Sequence, residues 1–447
     1  LTCSPILESI PVLQSQGRLV MRIVFFSYGT RGDVQPQLAL AAGLVEQGHS
    51  VAISAPQNLR RFIEAAGMEY APLHGDSQEI LESEDGKKWL SSGNVRAFMK
   101  AMGEICAKIN PLIYRDMLKA AQGADVIVGG TLCEDSSATI AEHLKIPCIQ
   151  IRTMPLDPTK DMPHPFVTQA RLPRFLNHVT HKLFDKLFWA TYEPTLNPFR
   201  TELGLAPRKN TATFNPPVPG APVIELFSAQ VVPSRSDLPP HVFTAGYQRL
   251  PSSVRARLGE SAPPTGLEQW LAKGEKPIYL GFGSMPVRDP VAHTQMALNV
   301  AKELGARVII AAGWTDLSAV HDQQSEQAFF IKTVDHGWMF PQCAAAVHHG
   351  GAGTTAASLE AGVPTVICSV FADQPHWGSR VERLGVGAHV PYAKLNQARL
   401  TKALRVALQE ETKARAVALG EKLRAEEGNA VALQELLKHL QGIARAA

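Results

Sequence analysis

Three places in this chain carry residues of the types and spacing that chemistry on a phosphorylated ligand would need. The first is His348-His349-Gly350-Gly351-Ala352-Gly353-Thr354-Thr355. Its glycines let the backbone approach a ligand closely, and a helix that begins there presents free N–H groups and the positive end of its dipole. A diphosphate meets that description, with His349 and the Thr354 hydroxyl as additional donors around Gly351 and Gly353. The second place is Gly281-Phe282-Gly283-Ser284, a hydroxyl and amides behind another short apolar run. Alone it is a common turn; paired with the first it forms the other side of a diphosphate clamp. The third is Gly29-Thr30-Arg31-Gly32-Asp33, whose carboxylate is placed either to accept a proton or to cap the helix that follows. Asp373-Gln374, further on, offers acceptors and donors suited to sugar hydroxyls.

These residues need elements to hold them. Ala344 to Val347 reads as a short buried strand and Thr354 to Ala361 as a helix of small residues, so the first Gly-rich segment is a strand-to-helix turn. Near the start, Arg22 to Ser27 reads as a strand, Pro36 to Gln47 as a helix and Val51 to Ser54 as the next strand. That rhythm makes a parallel βαβ unit. Ligands of such sheets sit beyond the carboxyl ends of the strands, which places Gly29, Thr30, Arg31, Gly32 and Asp33 at a cleft. Asp135, at the start of another helix, reads as a second cleft carboxylate or as a cap. Four prolines between Thr153 and Phe166 mark a long irregular loop of the kind that binds ligands, Met154 included. Leu183-Phe184, Leu187-Phe188 and Tyr192 recur at helical spacing among Lys182 and Lys186. They fit a packed amphipathic face, an apolar wall of an acceptor pocket, or a patch resting on a membrane surface.

A second βα series runs from Pro277 to Val390, and Leu395 to Ala446 is helical. The division read from this is 1–20 as a disordered extension, 21–247 as an N-terminal acceptor-binding domain and 248–264 as a linker. Residues 265–429 then form a C-terminal nucleotide-sugar domain and 430–447 a final helix. Net charge is +3 from 44 Lys/Arg and 41 Asp/Glu with no basic block, which argues against a nucleic-acid partner. The six cysteines are scattered without metal spacing and read as reduced thiols of a cytoplasmic protein. No apolar run reaches spanning length, and residues 1–20 lack the features of a secretory signal. A metal is not expected, because no Asp-x-Asp occurs to bridge an ion to phosphate.

From Met21 onward, these motifs closely resemble those of UDP-glycosyltransferases, in particular the bacterial and fungal branch with the sterol and glycopeptide-antibiotic glycosyltransferases. The resemblance implies an α/β fold of the GT-B type, two Rossmann-like domains facing a central cleft, with the last helix crossing back to the first domain. It implies metal-free, inverting transfer of a hexose, glucose from UDP-glucose above all, to a hydroxyl of a mostly apolar small molecule. Asp33 becomes the general base, standing where many members carry His. Plant members have Trp-Ala-Pro-Gln, its Trp stacked on the base; here Met339 of Trp338-Met339-Phe340-Pro341-Gln342 takes that position, so Met339 and Trp338 are the candidates beside the base. The rival readings are deoxysugar or rhamnose transfer from a TDP donor, a nucleotide-sugar epimerase, and a non-catalytic nucleotide-sugar binder.

Overall fold

The computed structural model describes residues 20–76, 79, 95–208, 221–260, 262–283, 289–313 and 324–446. Residues 1–19, the charged stretch after Asp76 and Ser284 of the expected clamp lie outside them. Two wholly parallel sheets organise the chain. The first contains β1 (Arg22–Phe26), β2 (Ser50–Pro56), β3 (Glu69–Leu73), β4 (Val126–Gly129), β5 (Cys148–Arg152), β6 (Val223–Glu225) and β7 (Val242–Thr244), in the order β3-β2-β1-β4-β5-β6-β7. The second contains β8 (Ile278–Gly281), β9 (Val308–Ala311), β10 (Ala328–Ile331), β11 (Ala345–His348), β12 (Thr365–Ile367) and β13 (Gly387–His389), in the order β10-β9-β8-β11-β12-β13. The strands are short and nearly all apolar because helices cover both faces, and a parallel sheet has no solvated side.

Each strand order reverses once, between β1 and β4 and between β8 and β11, where Phe26 pairs with Gly129 and Gly281 with His348. At such a switch point the loops leave in opposite directions and open a crevice. The three sequence motifs stand at these two crevices.

The final helix, Gly428–Ala446, buries Ala432, Leu436 and Leu440 in the core of the first sheet, beside Leu38 and Leu44 of the helix Arg31–Glu46. A Cβ at Gly43 would come 2.8 Å from Leu433 Cδ2, so a glycine is what lets the two helices approach this closely. The crossing is held from the second domain as well: Arg249 donates to Glu360 at 2.8 Å, and the Arg249 amide to Asn429 Oδ1 at 2.8 Å.

One boundary differs from the expected one in a way that matters. The helix expected from Pro36 begins at Arg31, and Pro36 lies inside it. Thr30 and Asp33 explain the earlier start. The Gly32 amide donates to Thr30 Oγ1 at 3.3 Å and the Thr30 amide to Asp33 Oδ2 at 2.7 Å, a capping box that satisfies free donors of the first turn. Asp33 is therefore the third residue of a helix, not part of a loop.

Candidate active site

A cleft of about 1890 Å³ lies between the sheets and is lined from both. Gly29 to Asp33 and Thr131 to Cys133 come from the first switch point; Gly283, His349, Gly351, Gly353 and Thr354 come from the second. Asp373 and Gln374 close one side of it, and Met154 with Phe166 another.

On the second domain the glycines shape a socket around one imidazole. A Cβ on Gly351 would lie 2.7 Å from His349 Nε2, and one on Gly283 would lie 3.2 Å from His349 Cε1. Gly350 has φ of +92°, and a side chain there would strike Ile367 Cγ2 at 2.4 Å. Gly351 is the N-cap of the helix Ala352–Glu360 and has no side chain to occupy its first amides, so the helix opens onto the cleft. His349 is buried, and burial lowers its pKa to about 4, so the ring is neutral near pH 7. Its Nδ1 is buried with no hydrogen-bond partner. His348 faces the other way: Nδ1 accepts the Gly350 amide at 3.0 Å and Nε2 lies 3.3 Å from Ser358 Oγ, so it fastens the turn from beneath.

Asp373 meets the opening of this helix from the side. Burial pushes its carboxyl up to about 7, opposed by hydrogen bonds from Trp377 Nε1 at 2.7 Å and the Ala352 amide, while the negative Asp33 across the cleft pushes further upward. Each carboxylate is thus within electrostatic reach of the other, one from each domain. The preceding residue, Ala372, has φ of +56°, a left-handed conformation that costs a residue with a Cβ roughly 1–2 kcal/mol. Such strain persists only where the surroundings enforce it. Gln374 Oε1 accepts the Val370 and Phe371 amides at 2.7 and 3.2 Å. Its carbonyl therefore holds the strained loop.

On the first domain Asp33 is half-buried at the cleft floor. Burial pushes its pKa up to about 6, against hydrogen bonds from the Thr30 amide and hydroxyl. Both of those go to Oδ2, at 2.7 and 3.3 Å, which leaves Oδ1 for an incoming hydroxyl. The cap reading of Asp33 holds, and the same hydrogen bonds orient a carboxylate that faces the cleft. Gly29 makes room for it. With φ of +127°, its absent Cβ would lie 2.3 Å from Asp33 Oδ2. Gly29→Ala is therefore expected to displace the carboxylate and to lower about 100-fold any initial rate that depends on its position, the scale of an ångström-sized misplacement.

Part of the cleft lining is aromatic. Along the helix Arg174–Glu202, Phe184 and Phe188 have ring centroids 5.1 Å apart, and Phe188 and Tyr192 4.7 Å apart. Phe166, on the Pro-rich loop, extends the row with its centroid 5.3 Å from Phe184. Offset rings at this spacing form a continuous apolar wall. Of the readings open for Leu183 to Tyr192, the pocket wall describes these aromatic residues. Trp189, between them in sequence, points away into the core.

The comparisons with known proteins agree with this architecture. Residues 23–163 match the glycosyltransferase family 28 N-terminal domain, and residues 295–443 match the C-terminal domain of erythromycin biosynthesis protein CIII-like proteins. A sterol 3-beta-glucosyltransferase of Arabidopsis thaliana is 34% identical over 428 residues, covering 94% of this chain and 68% of that protein. The chain belongs to the UDP-glycosyltransferase superfamily. A sterol 3-beta-glucosyltransferase of Emericella nidulans is 35% identical over 442 residues, and there the match spans 30% of the longer fungal protein. Among solved structures, the glycotransferase of kitacinnamycin superposes with a TM-score of 0.70 at 19% identity, over 94% of this chain and 99% of that one. The calicheamicin glycosyltransferase CalG4 gives 0.67 at 17% identity, over 96% and 100%. This chain is a glycosyltransferase with the GT-B fold.

The transferase departs from expectation at several positions. Met339 is fully buried in a cluster with Phe340 and Cys343 and does not line the cleft, and neither does Trp338. The short helix His336–Met339 turns its start toward the cleft, so His336 and Gly337 stand where a base contact was sought. His336 stacks on Phe340 with an interplanar angle of 5° and a centroid distance of 4.7 Å, its Nε2 3.2 Å from the Tyr279 hydroxyl. Asp135 is neither a cleft residue nor a cap; it is buried in an ion pair with Arg208. Arg31 lines the cleft, but its guanidinium is engaged by Glu260, Nη2 lying 2.7 Å from Oε2, and by the Phe62 ring 4.5 Å away. Asn110 was not foreseen. It lines the cleft from within the long helix Val95–Ala120 and donates to Thr195 at 3.2 Å, and nothing in its neighbours marks it.

Proposed function

We propose that this transferase moves glucose from UDP-glucose to the hydroxyl of a sterol or similarly flat, apolar alcohol, by one inverting displacement and without a metal. The observation that carries the reading is the meeting, in one cleft, of an oriented carboxylate, an aromatic wall and an open helix N-terminus. The sterol lies against Phe166, Phe184 and Phe188 with its hydroxyl at Asp33 Oδ1. As the hydroxyl oxygen attacks the anomeric carbon, its proton passes to Asp33, and the bond from that carbon to the diphosphate breaks with both electrons leaving on UDP. The amides of Gly351 and Gly353, the Thr354 hydroxyl and the neutral His349 take up the charge that develops on the diphosphate. Attack opposite the leaving group yields a β-glucoside from an α-linked donor. Asp373 faces the hexose hydroxyls from the strained loop. The names of the plant and fungal relatives support the sterol as acceptor.

The test is incubation of the purified chain with UDP-glucose and a sterol in excess chelator, with product mass, UDP release and anomeric configuration as readouts. The expected result is a sterol β-glucoside, with UDP released only when sterol is present. Turnover restored by magnesium alone would overturn the metal-free route. Turnover only with TDP-deoxysugars, or UDP-glucose consumed with no acceptor, would overturn the reaction itself.

A further inference from the structure

The outer side of the helix Arg174–Glu202 carries an exposed apolar stripe that the reaction does not use. Phe175, Val179, Leu183 and Leu187 are 68, 52, 49 and 51% exposed. Spaced four apart, they lie along one face, and Lys182 and Lys186 are exposed on that same face. Between residues 162 and 192 the only acidic side chain is Asp185, and it is buried. The stripe also continues inward: Leu183, Leu187 and the 36%-exposed Val167 belong at once to the outer surface and to the lip of the acceptor cleft. No described helix is long and apolar enough to cross a membrane.

We propose that this face docks on an anionic lipid bilayer. The helix lies in the plane of the interface, Phe175, Val179, Leu183 and Leu187 enter the acyl boundary, and Lys182 and Lys186 reach the lipid phosphates. Charge selects this occupant over a second copy of the chain. Pairing two such faces would bring lysines together along the stripe from Phe175 to Leu187, where no carboxylate is exposed and Glu193, the next exposed acid of this helix, lies beyond its end; an anionic surface complements both the lysines and the apolar side chains. The lip residues give the arrangement its purpose: an apolar acceptor passes from the bilayer to the aromatic wall without crossing water. That last point rests on the acceptor reading above; the docking itself does not.

Co-sedimentation with phosphatidylcholine vesicles, with and without phosphatidylserine, tests the surface directly. The wild-type chain is expected to pellet preferentially with the phosphatidylserine vesicles. Lys182→Gln with Lys186→Gln should weaken that binding by about 25-fold at low salt, about five-fold per charge, and Phe175→Glu with Val179→Glu should abolish it. Neither Phe175 nor Val179 lines the cleft. The second pair should therefore keep wild-type turnover on sterol delivered from cyclodextrin and lose about 10-fold or more on sterol embedded in vesicles. A wild-type chain that stays in the supernatant overturns the proposal. So does a Phe175→Glu/Val179→Glu variant that still pellets, or a wild-type dimer that this pair dissolves while vesicle binding is absent. Vesicle binding without glucosylation of cyclodextrin-delivered sterol would remove the sterol reading and leave the docking surface standing.

Discussion

Asp33→Asn is expected to lower turnover by roughly 10²- to 10⁴-fold, the range for loss of a positioned general base, while UDP affinity stays at the wild-type value. Asparagine keeps the size of the side chain and an oxygen for the Thr30 amide, so the capping box and the helix start survive. What disappears is the ability of Oδ1 to take a proton. The pH dependence gives an independent reading of the same group. Burial pushes the Asp33 carboxyl up to about 6, and only its ionised form can act as a base. Wild-type kcat/KM should therefore rise with pH through about 6 to a plateau and fall on the acid side as Asp33 is protonated. The Asn variant should lose that acid limb with its activity. An Asn variant that turns over at the wild-type rate would remove Asp33 from the chemistry, whatever its position in the cleft.

Arg152→Met is expected to destabilise the fold by about 3–5 kcal/mol, the cost of leaving one side of a buried ion pair uncompensated. Arg152 ends β5 with its side chain fully buried, bound to both oxygens of Glu134 at 2.8 and 2.7 Å and to Asp157 at 2.5 Å. It ties the Pro-rich loop to the helix Glu134–Leu144, and the next two residues, Thr153 and Met154, line the cleft. Methionine fills the space but leaves two carboxylates in an apolar interior. Burial pushes the Glu134 carboxyl up to about 7 even with Arg152 beside it. A carboxyl whose folded pKa lies above its unfolded one contributes stability below the unfolded value and loses it as pH rises through the folded one. Without the arginine that upward shift grows, so the deficit of the variant should be larger at pH 8 than at pH 5. Thermal melting at the two pH values measures it, and Glu134→Gln with Asp157→Asn in the Arg152→Met background should recover part of the loss. A deficit that is the same at both pH values would mean that packing, not charge, carries the effect.

The same contrast between local and assembled properties separates what could be read in advance from what could not. The Gly-rich turns at Gly281 and His349 were legible because a strand that turns at once into a loop or helix needs glycine at particular positions, as the positive φ of Gly283 and Gly350 confirms. The start of the helix at Arg31 was not, because Pro36 is the louder signal and the capping box works through a pair of residues that spacing alone left ambiguous. Met339 was misplaced for a different reason. A motif count aligned it to a base-binding position, while the turn of a short helix buries it and presents His336.

Taken by itself, the order of residues determined the alternation of strands and helices, the two Gly-rich turns and hence the family of folds, since periodicity and turn chemistry are set over a few neighbouring positions. Only the tertiary structure decided that Asp33 is oriented into the cleft with a raised pKa, that Gln374 braces a strained loop, that Asp135 is an ion-pair partner, and that Phe166 joins Phe184 and Phe188 in one wall. Those properties depend on what lies across the cleft and how much water is left there. Residues far apart in the chain set both the distances and the local dielectric, so no stretch of sequence contains them.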